Sequence, residues 1–137
     1  MKLEECFEIF NGKGIKINIS GKYPIYGSAG ILGYSDNFLV EGENILVGRV
    51  GNAGSIKFII GKCWVTDNTF IFKTKKNIIK KYAYYLLNSI NLKRFSIGST
   101  QPLLTKGILN SVNIDLHNYN LQQHIVNTIL ILLLKFL

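Results

Sequence analysis

The chain has 137 residues, a formal net charge of +8, 47% apolar residues and only 18% charged ones. That length sets one domain, and that apolar content excludes wholesale disorder, because there is enough apolar surface to build a core. Charge is uneven: up to Asn44 four Lys meet six Asp or Glu, whereas from Ile45 onward twelve Lys or Arg meet only Asp67 and Asp115. A basic second half fits a polyanionic partner, nucleic acid or an anionic membrane surface; it equally fits a Lys-rich composition with no such partner. Cys6 and Cys63 have no metal-ligand spacing with each other or with His117 and His124, which disfavours structural zinc and predicts buried free thiols in a reducing compartment. The acidic start, Met1-Lys2-Leu3-Glu4-Glu5, lacks the apolar core of a secretion signal, so a cytoplasmic location is expected.

In chain order, Leu3, Cys6, Phe7 and Phe10 recur at helical spacing and predict a short helix ended by Asn11-Gly12-Lys13-Gly14. Ile15 to Ile19 alternates apolar and polar, as a half-buried strand does. From Tyr23 to Phe72 the chain reads as short strands broken by Gly and Asn. The clearest are Ile45-Leu46-Val47, Ile56 to Ile60 and Thr69 to Phe72. The period then changes: Ile78, Ile79, Tyr82, Tyr85, Leu86 and Ile90 form a helical stripe, with Asn77 as its cap. Ile97 to Pro102 is a loop, Thr105 caps a short helix, Val112 to Leu116 alternates like a strand, and a last helix begins near Asn118 to Asn120. Strands first and helices later, without a repeated strand–helix unit, predict an α+β fold: a twisted, mainly antiparallel sheet with Gly-rich loops, then helices. The final uninterrupted apolar run, Ile129 to Leu134, is far short of the roughly 18 residues a membrane span needs, so a helix seeking a protein partner is expected there.

Gly48-Arg49-Val50-Gly51-Asn52-Ala53-Gly54 lacks the Gly-Lys-Ser/Thr ending of a phosphate loop, and no clear helix follows it. A Gly-rich hairpin carrying one Arg remains. Arg49 either forks onto guanine or phosphate, or makes a structural salt bridge. Lys73, Lys75, Lys76, Lys80 and Lys81 around the long helix's start, with Lys93 and Arg94 at its end, are either phosphate contacts or a solvated face. Ser99-Thr100-Gln101 is either a base-reading loop or plain turn chemistry. Thr66-Asp67-Asn68 is either a turn or a second reading loop, in which Asp67 accepts from cytosine N4 or pairs with a Lys. Tyr82 and Tyr85 fall at core spacing, and Trp64 reads as a core anchor. The acidic pairs Glu4/Glu5 and Glu41/Glu43 fall in an expected surface helix and a turn, with nothing that sets them opposite a reaction centre. No nucleophile elbow, metal-binding helix, dinucleotide fingerprint or Asn/Asp-Pro-Pro-aromatic methyltransferase tetrad is present, which points to a binding module rather than an enzyme.

Several stretches in order resemble the target recognition domain of type I restriction-modification specificity subunits: Leu3 to Gly12, Tyr23-Pro24-Ile25-Tyr26-Gly27 with Gly30-Ile31-Leu32-Gly33-Tyr34, Ile45 to Gly51 with Gly54, Trp64 to Asn68, Gly98 to Pro102, and Gln122 with Ile125. The resemblance covers roughly Leu3 to Ile129, and it lies in order and spacing rather than in any single piece. It implies a DNA target recognition domain over residues 1–117, and over 118–137 the start of a spacer and pairing helix. It implies recognition of about half of a split double-stranded DNA site, directing partner methyltransferase and restriction subunits. S-adenosylmethionine, Mg²⁺ and ATP belong to those partners, leaving no cofactor or metal in this chain.

Carried onto this sequence, the DNA-binding set is Tyr26, Ser28, Arg49, Asn52, Lys57, Thr66, Asn68, Lys73, Lys75, Lys76, Ser99, Thr100 and Gln101. The pairing set is Gln122, Ile125, Ile129, Leu132 and Phe136, whose last four members keep a 4-3-4 spacing. The chain departs from the family in having one recognition domain, His117-Asn118 where Pro-Pro is usual, Leu121 where Glu is usual, and an apolar end at Leu137. A homodimer or pairing with a second recognition half follows if it is a half-subunit. The alternative is a non-catalytic docking module, or an inactive truncated remnant, acting through the last helix.

Overall fold

A computed structural model of the chain describes residues 1–75 and 77–137; Lys76 lies outside them. The frame is a four-stranded antiparallel sheet of β1 (Phe7–Asn11), β4 (Glu43–Gly48), β5 (Ile56–Ile60) and β7 (Thr69–Thr74), in the order β1-β7-β4-β5. Register makes both faces apolar: Ile45 lies opposite Phe72 and Val47 opposite Phe70 on one face, with Leu46 opposite Ile71 on the other. The first face, with Phe7 and Ile9, carries the main core. It is covered by α1 (Lys80–Ile90), α2 (Lys106–Asn110) and the opening 3-10 turn Leu3–Glu5, through Ala83, Leu87, Leu109 and Leu3. The second face packs Leu46, Ile59 and Ile71 against Cys63, Val65 and Tyr26. Two of those belong to a small sheet ordered β3 (Gly30–Ser35), β2 (Tyr23–Gly27), β6 (Trp64–Val65), where β2 runs antiparallel to β3 and parallel to β6. Helices, a central sheet and a smaller sheet thus form three layers, an α+β arrangement in which the expected single sheet is two.

Three expected elements differ. The opening segment is helical only at Leu3–Glu5 and then enters β1, because Phe7 and Ile9 point into the core while Glu8 and Phe10 point out, and pairing with β7 fixes that alternation. Ile15 to Ile19 forms no ladder: a single bridge joins Asn18 to Tyr34, and Ile17 and Ile19 stay exposed. Val112 to Leu116 is likewise no strand. It is tied to the N-terminus by Leu3 N–H donating to the Val112 carbonyl and Ile114 N–H to that of Met1, both at 2.8 Å. Asn77 does not cap α1; it sits at φ 65°, and Ile79 occupies the cap position. Thr105 does cap α2, its hydroxyl accepting from Ile108 N–H at 3.1 Å.

The last helix, α3 (Tyr119–Lys135), is capped by Asn118, whose side chain accepts from Leu121 N–H at 2.9 Å. Its first turn belongs to the body. Gln122 is 1% exposed; its Oε1 accepts from Ile79 N–H at 3.0 Å and its Nε2 donates to the His117 carbonyl at 2.8 Å. The Tyr82 hydroxyl and His117 Nδ1, 2.8 Å apart, close the same knot. Gln122 therefore cannot enter a pairing seam. It supplies the acceptor that α1's first N–H groups otherwise lack, since Ile79 cannot cap with a side chain. Beyond it, Ile125 and Ile129 are half-buried, whereas Leu132 and Phe136 are exposed with their neighbours from Leu130 to Leu137. Among the described residues no helix is long and apolar enough to cross a membrane.

Replacing Gln122 with Ala leaves the half-buried Ile79 N–H and the His117 carbonyl without this partner. The expected loss is about 1–3 kcal/mol in urea unfolding, whereas Gln123→Ala one position on stays within about 0.5 kcal/mol. Equal losses would remove Gln122 from this role.

Candidate nucleic-acid interface

Strand order brings the ends of the two sheets together, and with them four loops. These are the β2–β3 turn at Ser28-Ala29, the β4–β5 loop from Arg49 to Ser55, the β6–β7 turn Thr66-Asp67-Asn68, and the loop from Ser96 to Leu104. Backbone bonds join them. The Asn68 carbonyl accepts from Arg49 N–H at 2.9 Å and from Val50 N–H at 3.3 Å, and the Arg49 carbonyl accepts from Leu104 N–H at 2.8 Å. Leu103 and Ile97 exchange two bonds of 2.9 Å, which close the Ser99 to Gln101 tip into a hairpin-like loop. Glycine permits the crowding. A Cβ at Gly48 would fall 2.1 Å from the Asn52 carbonyl oxygen, and one at Gly54, where φ is +85°, 2.6 Å from the Lys93 nitrogen.

Several expected reading residues are spent on this assembly. Ser28 is buried; its hydroxyl accepts from Asn52 N–H at 3.3 Å and its carbonyl from the Ser55 hydroxyl at 2.7 Å. The hydroxyls of buried Thr66 and Thr69 both donate to Asn68 Oδ1. Tyr26 packs against the second core, and burial is the main reason its hydroxyl is held above the usual tyrosine pKa. Ser28 and Thr66 are thus buried framework, while Tyr26 and Asn68 are half-buried beside them. Asn52, Ser99, Thr100 and Gln101 are exposed on the same corner.

Arg49 stands at its centre. Its Nε–H donates to the Asp67 carbonyl at 2.9 Å, and with Asn11, Gly12 and Asp67 it lines a polar cleft of about 270 Å³. Asp67 engages Arg49 through its main chain, so the salt bridge weighed from sequence is replaced by a bond that fixes the guanidinium's plane. A fixed guanidinium keeps terminal donors in a fork suited to guanine O6 and N7 or to phosphate oxygens.

The cations are arranged differently from the sequence expectation. Lys73 and Lys75 follow β7 to the end away from Asn68, roughly 15–20 Å along the strand. There the Lys73 ammonium bonds Asn44 Oδ1 and that of Lys75 bonds the Glu4 carbonyl at 2.7 Å. Burial, with Lys80 nearby, lowers the Lys73 pKa. Lys81 stacks over the Phe58 ring at 4.3 Å. The amino end of α1 is therefore not beside the loops; its carboxyl end is. Lys93 meets Gly54, and Arg94 lies over the Phe95 ring at 4.5 Å. Lys57 is half-buried on β5 opposite Leu46. Sequence reasoning missed Lys13, which is exposed where its N–H donates to the Val65 carbonyl at 2.9 Å and its carbonyl accepts from the half-buried Trp64 indole at 2.8 Å. Its signal was a Lys between two glycines, which fits a presented loop as well as a helix end.

Among the described residues no three His, Cys, Asp or Glu cluster so as to hold a metal ion. Both thiols are buried, and burial pushes Cys63 up to about 11 and Cys6 above its ordinary value. The chain belongs to the type I restriction modification DNA specificity domain family, whose model matches residues 1–133. A Haemophilus influenzae protein assigned as a type I restriction enzyme specificity subunit is 29% identical over 132 residues, covering 90% of this chain and 34% of its own length. The EcoprrI specificity subunit of Escherichia coli is 29% identical over 93 residues, covering 67% of this chain and 23% of its own length. The solved S subunit of a type I restriction-modification system from M. genitalium superposes with a TM-score of 0.89 at 21% identity, over 96% of this chain and 37% of its own. The chain spans between 23% and 37% of the length of these proteins.

Two outcomes check this site. Gly48→Ala should cost about 1–3 kcal/mol in thermal unfolding, because its Cβ meets main chain that cannot move aside. Neither thiol should react with a disulfide reagent at pH 8 until the chain unfolds, since the Cys63 thiolate is roughly a thousandth of the total at that pH.

Proposed function

We propose that this chain reads part of a split duplex site as the specificity module of a type I restriction-modification system. The methyl-transfer and cleavage chemistry, with S-adenosylmethionine, Mg²⁺ and ATP, resides in partner methyltransferase and restriction subunits. The observation that carries this reading is the convergence of the four loops on Arg49. Arg49 and Asp67 share one polar cleft, and their chemistry complements a G·C pair: donors for guanine O6 and N7, and an acceptor for cytosine N4. Asn52 and the Ser99 to Gln101 tip extend this surface with short polar groups. Lys13, Lys93 and Arg94 flank it and take the phosphate role first assigned to Lys73 and Lys75. A cytoplasmic site of action follows from this function.

The exposed run from Leu130 to Leu137 favours a second element of the proposal. Ile125, Ile129, Leu132 and Phe136 form one seam for a second helix, from another copy or another recognition half. The rest of the run then lies against further subunits. A non-catalytic docking role through α3 is thereby part of the same function and does not compete with it.

Binding to duplex DNA should fall steeply with salt. Arg49→Ala and Gln101→Ala should relax base preference, whereas Lys93→Ala should weaken all sequences alike and reduce the salt slope by about one. Uniform loss in all three would remove the loops from base reading. Leu132→Lys with Phe136→Lys should abolish self-association in sedimentation while leaving DNA affinity within about twofold, because α3 joins the body at the amino end of α1, which is not the end beside the loops.

A further inference from the structure

The β2–β3 hairpin adds something to the loop corner that no polar loop supplies. Ile31 and Leu32, just past its turn, are 52% and 44% exposed. Ile17, itself 51% exposed, lies beside the same strand, its methyl 2.9 Å from the point a Gly33 Cβ would occupy. Leu32 is not on a remote face. Its side chain covers Gly27, lying 2.7 Å from where a Cβ would be there, and Asn68 Oδ1 lies 3.6 Å from that same point. Asn68 is the residue whose carbonyl holds Arg49 and Val50. The hairpin is also fixed in place, since the Ser28 carbonyl accepts from both Ser55 and Asn52. An exposed branched methyl group, rigidly held at the rim of a polar corner, matches one feature of the major groove: the C5 methyl of thymine.

We infer that Leu32, supported by Ile31, is a specificity-determining residue that packs on a thymine methyl and so selects an A·T pair beside the pair met by Arg49. This rests on the duplex-reading function proposed above. It assigns to this chain a base preference that the polar loops alone do not predict.

The test is selection by the full chain from a random duplex pool at low salt, followed by replacement of each thymine in the enriched sequence with deoxyuridine, which lacks only the methyl group. One thymine position should lose about three- to fivefold in affinity, the worth of one buried methyl. Leu32→Ala should erase that difference while still binding the uracil duplex as the parent chain does. Ile31→Ala should reduce the difference, guarding against a local disturbance in the first variant. Enrichment without a uracil-sensitive position, or a sensitivity that survives in Leu32→Ala, overturns this inference and leaves duplex reading intact. Failure to enrich any sequence overturns both.

Discussion

The structure depends on one carbonyl. Asn68 ends the β6–β7 turn, and its oxygen accepts from Arg49 and Val50, joining the loop after β4 to the turn that connects the two sheets. Its side-chain oxygen takes both neighbouring threonine hydroxyls, so the turn is rigid before it meets anything else. Together with the bonds from Asn52 and Ser55 to Ser28, this junction holds a loop rich in glycine, which carries the largest conformational entropy to lose. A loop already ordered gives up little entropy on binding, and that is the physical condition for discriminating between bases rather than merely adhering to phosphate.

The same economy explains how polar side chains divide between frame and surface. Ser28 and Thr66 have the chemistry of base readers, yet Ser28 bonds Asn52 and Ser55 of the β4–β5 loop and the Thr66 hydroxyl donates to Asn68 Oδ1 within its own turn. Arg49 is intermediate: one donor is committed to the Asp67 carbonyl, which orients the remaining ones. Asn52, Asp67 and the Ser99 to Gln101 tip are exposed. A binding surface so built can vary at its tips without loss of fold, because stability comes from the residues beneath.

A second constraint operates where α3 joins the body. Gln122 fills the polar gap left by an Ile at the cap of α1, and Tyr82 meets His117 beside it. The recognition body and the helix leaving it are therefore continuous across residues 117 and 118. The apolar length beyond Ile129 then leaves the body in a fixed direction, offering its surface to other chains.

Local pattern determined the α+β class, the strands β4, β5 and β7, the existence of α1, the cap of α2 at Thr105 and the start of α3. These are runs whose local preference and burial agree. The buried face of α1, by contrast, includes Ala83 and Leu87, outside the expected stripe. The order of motifs further established the family. Tertiary structure decided the rest. Leu3 to Phe10 carries both a helical and an alternating pattern, and pairing with β7 selected the second. Ile15 to Ile19 alternates like a strand but has no full partner to pair with. The cation arrangement was illegible because a lysine's distance from a loop depends on the direction of β7 and the return of α1. Those place Lys73 and Lys75 at one end and Lys93 and Arg94 at the other. Sequence names side chains with the chemistry of base readers; only packing determines which of them have donors and acceptors left.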